Sequence, residues 1–412
     1  MWSRVAIALF SALFFLAICL VASADTVVVA EYWNKSIDGI VIFVGAGSRY
    51  VGVSMGEPTV FLLFDREGRL LWSYNFTEKS PAALSFSPRG DRLALVVSES
   101  RGGSDYFTVL SYEASSGRLL WSSDTFDGSG GDIEYTLDGR LVIVTSFENS
   151  RVYGLDADSG RVVWEYRVDA DYVSAVEVSE NYLYIGGFRS NPYSGIILAI
   201  DLNSMETVWE SSDIEDIVSS LDLSGDGRVL FASISIDEAG GGRAGKVYAL
   251  DSSSGDIIWG SEKFGDYAWE VATVGDIAVV TAAGSDGIII LEASSGDVFR
   301  RVGDEGIYSI SVASIPGTTN IVISYSYGVG DKVVSEVISS SFRVEEESPT
   351  TTSTTIEAPA TTTSTSEVVE TITKTVIISE SRGGWGDNMV KIIVALVVVV
   401  VILTLAIVVG RK

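Results

Sequence analysis

Ala249-Leu250-Asp251-Ser252-Ser253-Ser254-Gly255-Asp256-Ile257-Ile258-Trp259 is the stretch whose reading decides the fold. Two apolar runs flank a polar turn that ends in glycine, and the second run closes on tryptophan. A Ser/Asp turn closed by a glycine able to take positive φ joins two strands into a hairpin. The unit recurs at Leu62–Trp72, Tyr112–Trp121, Gly154–Trp164 and Ala199–Trp209, and once more, without its tryptophan, at Glu292–Phe299. Trp72, Trp121, Trp164, Trp209 and Trp259 therefore stand 43 to 50 residues apart. Recurrence at such a period marks a repeat architecture.

Two further short apolar runs precede each hairpin. Leu84–Phe86 and Leu93–Val97 are joined by Ser87-Pro88-Arg89-Gly90-Asp91; Ile133–Leu137 and Leu141–Thr145 by Asp138-Gly139; Leu221–Leu223 and Val229–Ser233 by Ser224-Gly225-Asp226-Gly227. Helical periodicity is absent from 26–344, so each period holds a four-stranded meander. Four antiparallel strands per ~45 residues predict an all-β protein, a β-propeller of four-stranded blades. Six hairpins give six blades. Ile307–Ala313, Asn320–Tyr325 and Lys332–Ser339 supply three strands of a seventh, and Thr26–Tyr32 at the front supplies its fourth, closing the ring and removing two sheet edges; six or eight blades are the alternative counts.

The pattern Ala-x-Asp-x-x-x-Gly-x-x-x-Trp is complete at Ala249, Asp251, Gly255 and Trp259, and recurs at Ala199, Asp201 and Trp209 with Met205 in the glycine position. It resembles the tryptophan-docking repeat of the pyrroloquinoline-quinone-like, or quinoprotein-type, propellers, over most of 40–300. The resemblance implies that Trp72, Trp121, Trp164, Trp209 and Trp259 stack between neighbouring blades as structural fasteners. The sixth copy departs, with Arg300 beside Phe299 where tryptophan belongs, so its junction is expected to pack differently. The family includes dehydrogenases that hold calcium and the quinone on the propeller axis, several with a disulfide of adjacent cysteines. It also includes non-catalytic members, such as the bacterial outer-membrane assembly propeller, that present their faces to protein partners.

Composition narrows the chemistry. The chain has 412 residues, 28 Lys+Arg, 55 Asp+Glu, a net charge of −27 and no histidine. Histidine-based nucleophile systems and histidine-ligated metals are excluded. The single cysteine, Cys19, lies in a segment read as cleaved, which leaves no disulfide, iron–sulfur cluster or cysteine nucleophile. So acidic a surface repels phosphate backbones, and nucleic acid is not an expected partner.

The ends give an address. Residues 1–24 carry Arg4, an apolar run Val5–Val21 and Ala22-Ser23-Ala24, the pattern of a secretory signal peptide. Residues 25–344 form the expected propeller ectodomain. Residues 345–388 form an expected stalk: in Ser348–Thr375, 16 of 28 residues are Ser or Thr, too polar to bury a core. Residues 389–410 include the apolar run Ile392–Val409, long enough to span a bilayer as a helix, and Arg411-Lys412 form a cytoplasmic basic end. Asn34 and Asn75 stand in glycosylation sequons. The expected protein is a single-pass cell-membrane protein with its bulk outside.

For a site, acids recur just before the first strand of many blades. Asp132, Asp171, Asp216, Asp266 and Asp304 could ring one mouth of the central channel and hold a cation, Ca2+ or Mg2+ by their oxygen ligands. Tyr135, Tyr172, Tyr267, Trp269 and Tyr308 would supply an aromatic rim; the competing reading is that these acids make turns and these aromatics merely favour strands. Asp124–Asp132 and the glycine-rich Glu238–Gly245 read as loose loops. No catalytic or quinone-binding residue is assigned. The reading is a non-enzymatic cell-surface binding or scaffold protein for protein or glycan partners. A calcium- and quinone-dependent dehydrogenase and a structural envelope component are the alternatives.

Overall fold

The computed structural model describes residues 26–56, 58–282, 286–302, 307–329, 332–345 and 375–378. The expected signal peptide, membrane helix, basic end and Asp304 lie outside these residues, as does the stalk apart from Thr375–Ile378.

Alternating strands with polar turns fold into seven antiparallel sheets among the described residues. The first strands of blades 1 to 7 are Val41–Ala46, Ser80–Phe86, Gly130–Tyr135, Tyr172–Val178, Ile217–Leu223, Ala268–Val274 and Ile307–Ser314. Each neighbours the first strand of the next blade, and blade 7 returns to blade 1, so they form a closed inner ring. Ring closure follows the expected route. The sheet of blade 7 runs Ile307–Ser314, Asn320–Val329, Lys332–Glu345, then Thr26–Asp38, with Thr375–Ile378 beyond.

Burial follows position in the blade. Second strands such as Leu141–Ser146 are buried on both faces, whereas the outermost Leu70–Asn75 is mostly exposed. Seven apolar clusters result. The one containing Ile133, Val142 and Leu155 of blade 3 also holds Val96 and Phe107 of blade 2, so the core lies between blades.

Each hairpin is built by its own residues. Asp251 Oδ1 accepts the N–H groups of Ser253 and Ser254 at 2.9 and 3.1 Å, and Gly255 takes φ +77°. A register shift then sets Trp259 opposite Ala249. The indole reaches the following blade: Trp72, Trp121, Trp209 and Trp259 donate Nε1–H to the carbonyls of Ala114, Ala157, Ser252 and Ala293 at 2.8–3.1 Å. The ring lies over that blade's turn glycine. A Cβ on Gly255 would come within 2.4 Å of Trp209. Trp33 does the same for blade 7, donating to Arg66 at 2.8 Å above Gly68.

Two junctions differ, for different reasons. Between blades 3 and 4 the turn position is Met205, which takes φ +57° and carries a side chain where the others have none. Trp164 and Met205 both pack against the apolar cluster of blades 3 and 4, and the indole leans back on Gly154 of its own blade, whose Cβ would come within 2.2 Å of it. Met205→Gly should raise stability by about 1 kcal/mol by removing the left-handed strain; no rise in the urea midpoint would show that Met205 fits its turn without cost. Between blades 6 and 7, Arg300 pairs with Ile290 in the tryptophan register. Blade 7 takes its outer strand from the N-terminus, so no hairpin joins its third and fourth strands. The turn on which a tryptophan would dock is missing there.

Two loop readings are corrected. Phe126–Asp127 pairs with Phe107 and Tyr106 as a short extra strand rather than remaining loose. Glu238 pairs with Gly242, so the glycine-rich stretch is a strand hairpin with Ala239–Gly241 as its turn.

Candidate functional site: the channel and its rim

The inner strands all run the same way along the axis and enclose a cavity of about 1310 Å3. Turns following them, at Ser48, Pro88, Leu137 and Pro316, line one end. Asp237, Arg243, Asp266 and Tyr267 line the other. Arg243 is the one basic residue lining it among the described residues.

The pairing registers, followed inward from the tryptophan position, place equivalent residues of the inner strands of blades 1 to 6 at one level: Gly45, Ser85, Glu134, Glu177, Asp222 and Ala272. Carboxylates thus occupy three successive blades, 3 to 5, with a serine hydroxyl on blade 2 and small residues on blades 1 and 6. Ser85 Oγ donates to Glu134 Oε2 at 2.8 Å. The Thr273 N–H donates to Asp222 Oδ2 at 2.6 Å, and the Thr273 hydroxyl donates to the same oxygen.

Other acids also join blades. Asp132 Oδ2 accepts the Val176 N–H at 3.0 Å, and Glu270 Oε2 accepts Ser311 Oγ and the Val312 N–H, both at 2.7 Å. Ser311 Oγ in turn accepts the Val44 N–H at 2.9 Å, so one chain of bonds links blades 6, 7 and 1. These side chains face the channel yet are walled in by protein. Burial pushes Asp132 up to about 6 and Glu270 to about 7 against the bonds that hold them down. Glu134 and Glu177 are raised by burial first and by neighbouring carboxylates second, and Asp222 by burial.

The four described members of the expected cation ring, Asp132, Asp171, Asp216 and Asp266, are each engaged with backbone; Asp304 lies outside the described residues. Among the described residues no three acidic side chains converge as a metal-holding group. Asp132 is spent on Val176 and Ile133. Exposed Asp171 accepts the Ser190 N–H at 2.6 Å, and Asp266 the Tyr267 N–H at 2.8 Å. Buried Asp216 accepts the Ile217 and Asp237 N–H groups, both at 2.9 Å, and Tyr193 Oη at 2.8 Å. Their oxygens hold backbone in place, which is the work of turn and strand-start acids.

The expected rim is partly rearranged. Tyr135 is 3% exposed, wedged between blades 2 and 3, and belongs to the core. Tyr172 and Trp269 are exposed as expected, and Tyr193, not singled out from sequence, joins them. Asn34 and Asn75 stand exposed on the fourth strands of blades 7 and 1.

Pyrroloquinoline quinone is a tricarboxylate. A channel lined by seven acids and one basic residue does not fit its charge, and no step is derived through it.

Comparison with known proteins agrees with the fold. The profile of the family described as outer membrane protein assembly factor BamB matches residues 105–323, just over half of the chain. The outer membrane protein assembly factor BamB of Kangiella koreensis is 26% identical over 132 residues, which cover 29% of this chain and 30% of that protein. The chain therefore matches under a third of that relative's length. The β-propeller domain of Cps50 (Swd1) from Myceliophteria thermophila superposes with a TM-score of 0.57 at 14% identity, covering 74% of this chain and 99% of that one.

Proposed function

The chain belongs to the outer membrane protein assembly factor BamB family of pyrroloquinoline-quinone-like propellers, and on that premise we propose that it is a binding or scaffold protein without enzymatic activity. It presents one face of its disc to partners outside the cell. Residues 1–24 direct export, 345–388 act as a spacer and 389–410 anchor the chain in the cell membrane. One observation carries the reading. The channel's polar groups are used to tie blade to blade, while large aromatic side chains stay uncovered at one mouth, with Tyr193 58% and Trp269 44% exposed. A rigid disc with uncovered aromatics suits binding, because little ordering is lost on contact.

The test places a photo-crosslinking amino acid in the full chain, one position at a time, in the cells that make it. Tyr172 and Trp269 report on one mouth, Leu137 on the opposite face, and Leu70 and Val163 on the edge. Discrete adducts confined to one face are expected. No adduct from any position, or quinone-dependent turnover of an alcohol or sugar by the purified chain, overturns the reading.

A further inference from the structure

We propose that the aromatic mouth over blades 3 to 6 docks a basic peptide segment, with an arginine or lysine side chain directed to the channel. The proposal rests on the binding-disc reading above and names its partner.

The rings are linked, with Phe188, 6% exposed, backing the exposed Tyr172 and Tyr193 from beneath. Phe147 stacks on Tyr172 at 5.0 Å, Tyr172 on Phe188 at 6.2 Å, and Phe188 meets Tyr193 edge-on at 4.9 Å. Tyr193 Oη donates to Asp216, whose other partner is the Asp237 N–H. The Asp237 side chain accepts Tyr267 Oη, and Tyr267 meets Trp269 edge-on at 5.4 Å. Four blades thus contribute one arc of rings and carboxylates. The phenols of Tyr193 and Tyr267 are pinned by acids, so these rings are set before a partner arrives.

Charge selects the occupant. Asp237 and Asp266 stand at the mouth, the channel below adds Asp132, Glu134 and Glu270, and none of the ion pairs among the described residues reaches any of these five. A neutral glycan could stack on the rings but would cover the carboxylates without compensating them. A guanidinium or ammonium satisfies both, over an aromatic face and beside an acid. The chain supplies an example of its own. Exposed Arg243 lies with its guanidinium carbon 5.0 Å from the Tyr267 ring centre. It is carried by the hairpin whose turn glycines, Gly240 and Gly241, have open space about them.

The test uses the full chain in detergent micelles and a fluorescein-labelled nine-residue peptide of Arg, Gly and Ser, read by fluorescence anisotropy. A Glu-for-Arg peptide and a neutral oligosaccharide are the comparisons. Expected is saturable binding of the Arg peptide at 20 mM salt, at least tenfold weaker at 500 mM, and no binding of the Glu peptide. Trp269→Ala and Tyr172→Ala, whose rings are exposed, should each weaken it at least fivefold with an unchanged melting temperature. Asp237→Asn should weaken it and flatten the salt dependence. Leu137→Ala, on the other face, should do nothing.

Unchanged binding in Trp269→Ala and Tyr172→Ala means attraction by bulk charge alone and overturns the proposal. Salt-independent oligosaccharide binding lost in Trp269→Ala also overturns it, in favour of a glycan surface, and leaves the binding disc standing. The crosslinking experiment separates the two levels. Adducts from Leu137 or the edge but none from Tyr172 or Trp269 defeat this proposal alone, whereas no adducts anywhere defeat the broader reading.

Discussion

Trp121→Ala should cost about 3–5 kcal/mol of stability, the range for a large aromatic removed from a packed site. The residue is 8% exposed and sits in the cluster shared by blades 2 and 3. Its ring covers Gly160, where a Cβ would come within 2.4 Å, and its Nε1 donates to Ala157 at 2.9 Å. Truncation opens a cavity between blades and removes one of the two donors to the Ala157 carbonyl, which keeps Arg92 Nη1 at 2.9 Å. Trp164→Ala should cost roughly half as much, because that indole makes no hydrogen bond to the following blade, although it still packs there. Arg300→Ala should stay within about 1 kcal/mol, since the half-buried side chain has a buried Nη1 with no hydrogen-bond partner to lose. Urea unfolding of the full chain at one pH measures all three. If Trp121→Ala shifts the midpoint no further than Arg300→Ala, the tryptophans do not fasten the ring.

These contrasts mark how far the sequence could be read. The hairpins were legible because turn chemistry is local: an acid to cap the turn, a residue at positive φ, an indole to follow. The seventh blade was legible by elimination, from three strands lacking a fourth. Trp33 was not, because it precedes the first complete repeat and only ring closure brings it over Gly68. The Arg300 departure was visible, but its reason lies in topology, where a hairpin cut by the chain ends offers no turn.

The channel was harder. Acids just outside the strands drew attention, and they are the ones that cap backbone. The acids that define the channel sit inside strands, in Ile133-Glu134-Tyr135, Val176-Glu177-Val178 and Leu221-Asp222-Leu223. In a two-residue alternation such a side chain points away from the core, which ordinarily means toward bulk solvent. Only the ring turns that face inward. The triplets carried a signal, since three consecutive blades repeat it at one strand position, and the level they share was readable once blades were aligned on their turns.

Stability should therefore fall as pH rises from about 4 to about 8, and Glu177→Gln should remove part of that fall. The sign follows from proton counting. A carboxyl raised in the folded state binds its proton more tightly there than in the unfolded chain, whose carboxyls titrate near 4. Between the two values the folded state holds more protons, so its advantage is full below the unfolded value and shrinks as pH climbs through the folded one. For Asp132 the window closes near 6 and for Glu270 near 7. Glu177 is raised by burial, with Glu134 and Asp222 adding repulsion. No lysine or arginine among the described residues is paired with it. Glutamine keeps the shape and carries no charge. At pH 8 the substitution should stabilise the protein, because it removes an ionisation that burial and the neighbouring carboxylates oppose. At pH 5, nearer the unfolded carboxyl range, it should change stability less. Glu270→Gln should gain less at pH 8, because Glu270 already draws two hydrogen bonds that favour its charged form. Melting curves of the three proteins from pH 5 to pH 8 decide the matter. Equal effects of Glu177→Gln at both ends, or a loss at pH 8, would mean that the inner acids are ionised at little cost. The channel water would then solvate them freely, and the level of three carboxylates would hold no stored repulsion for an incoming cation to relieve.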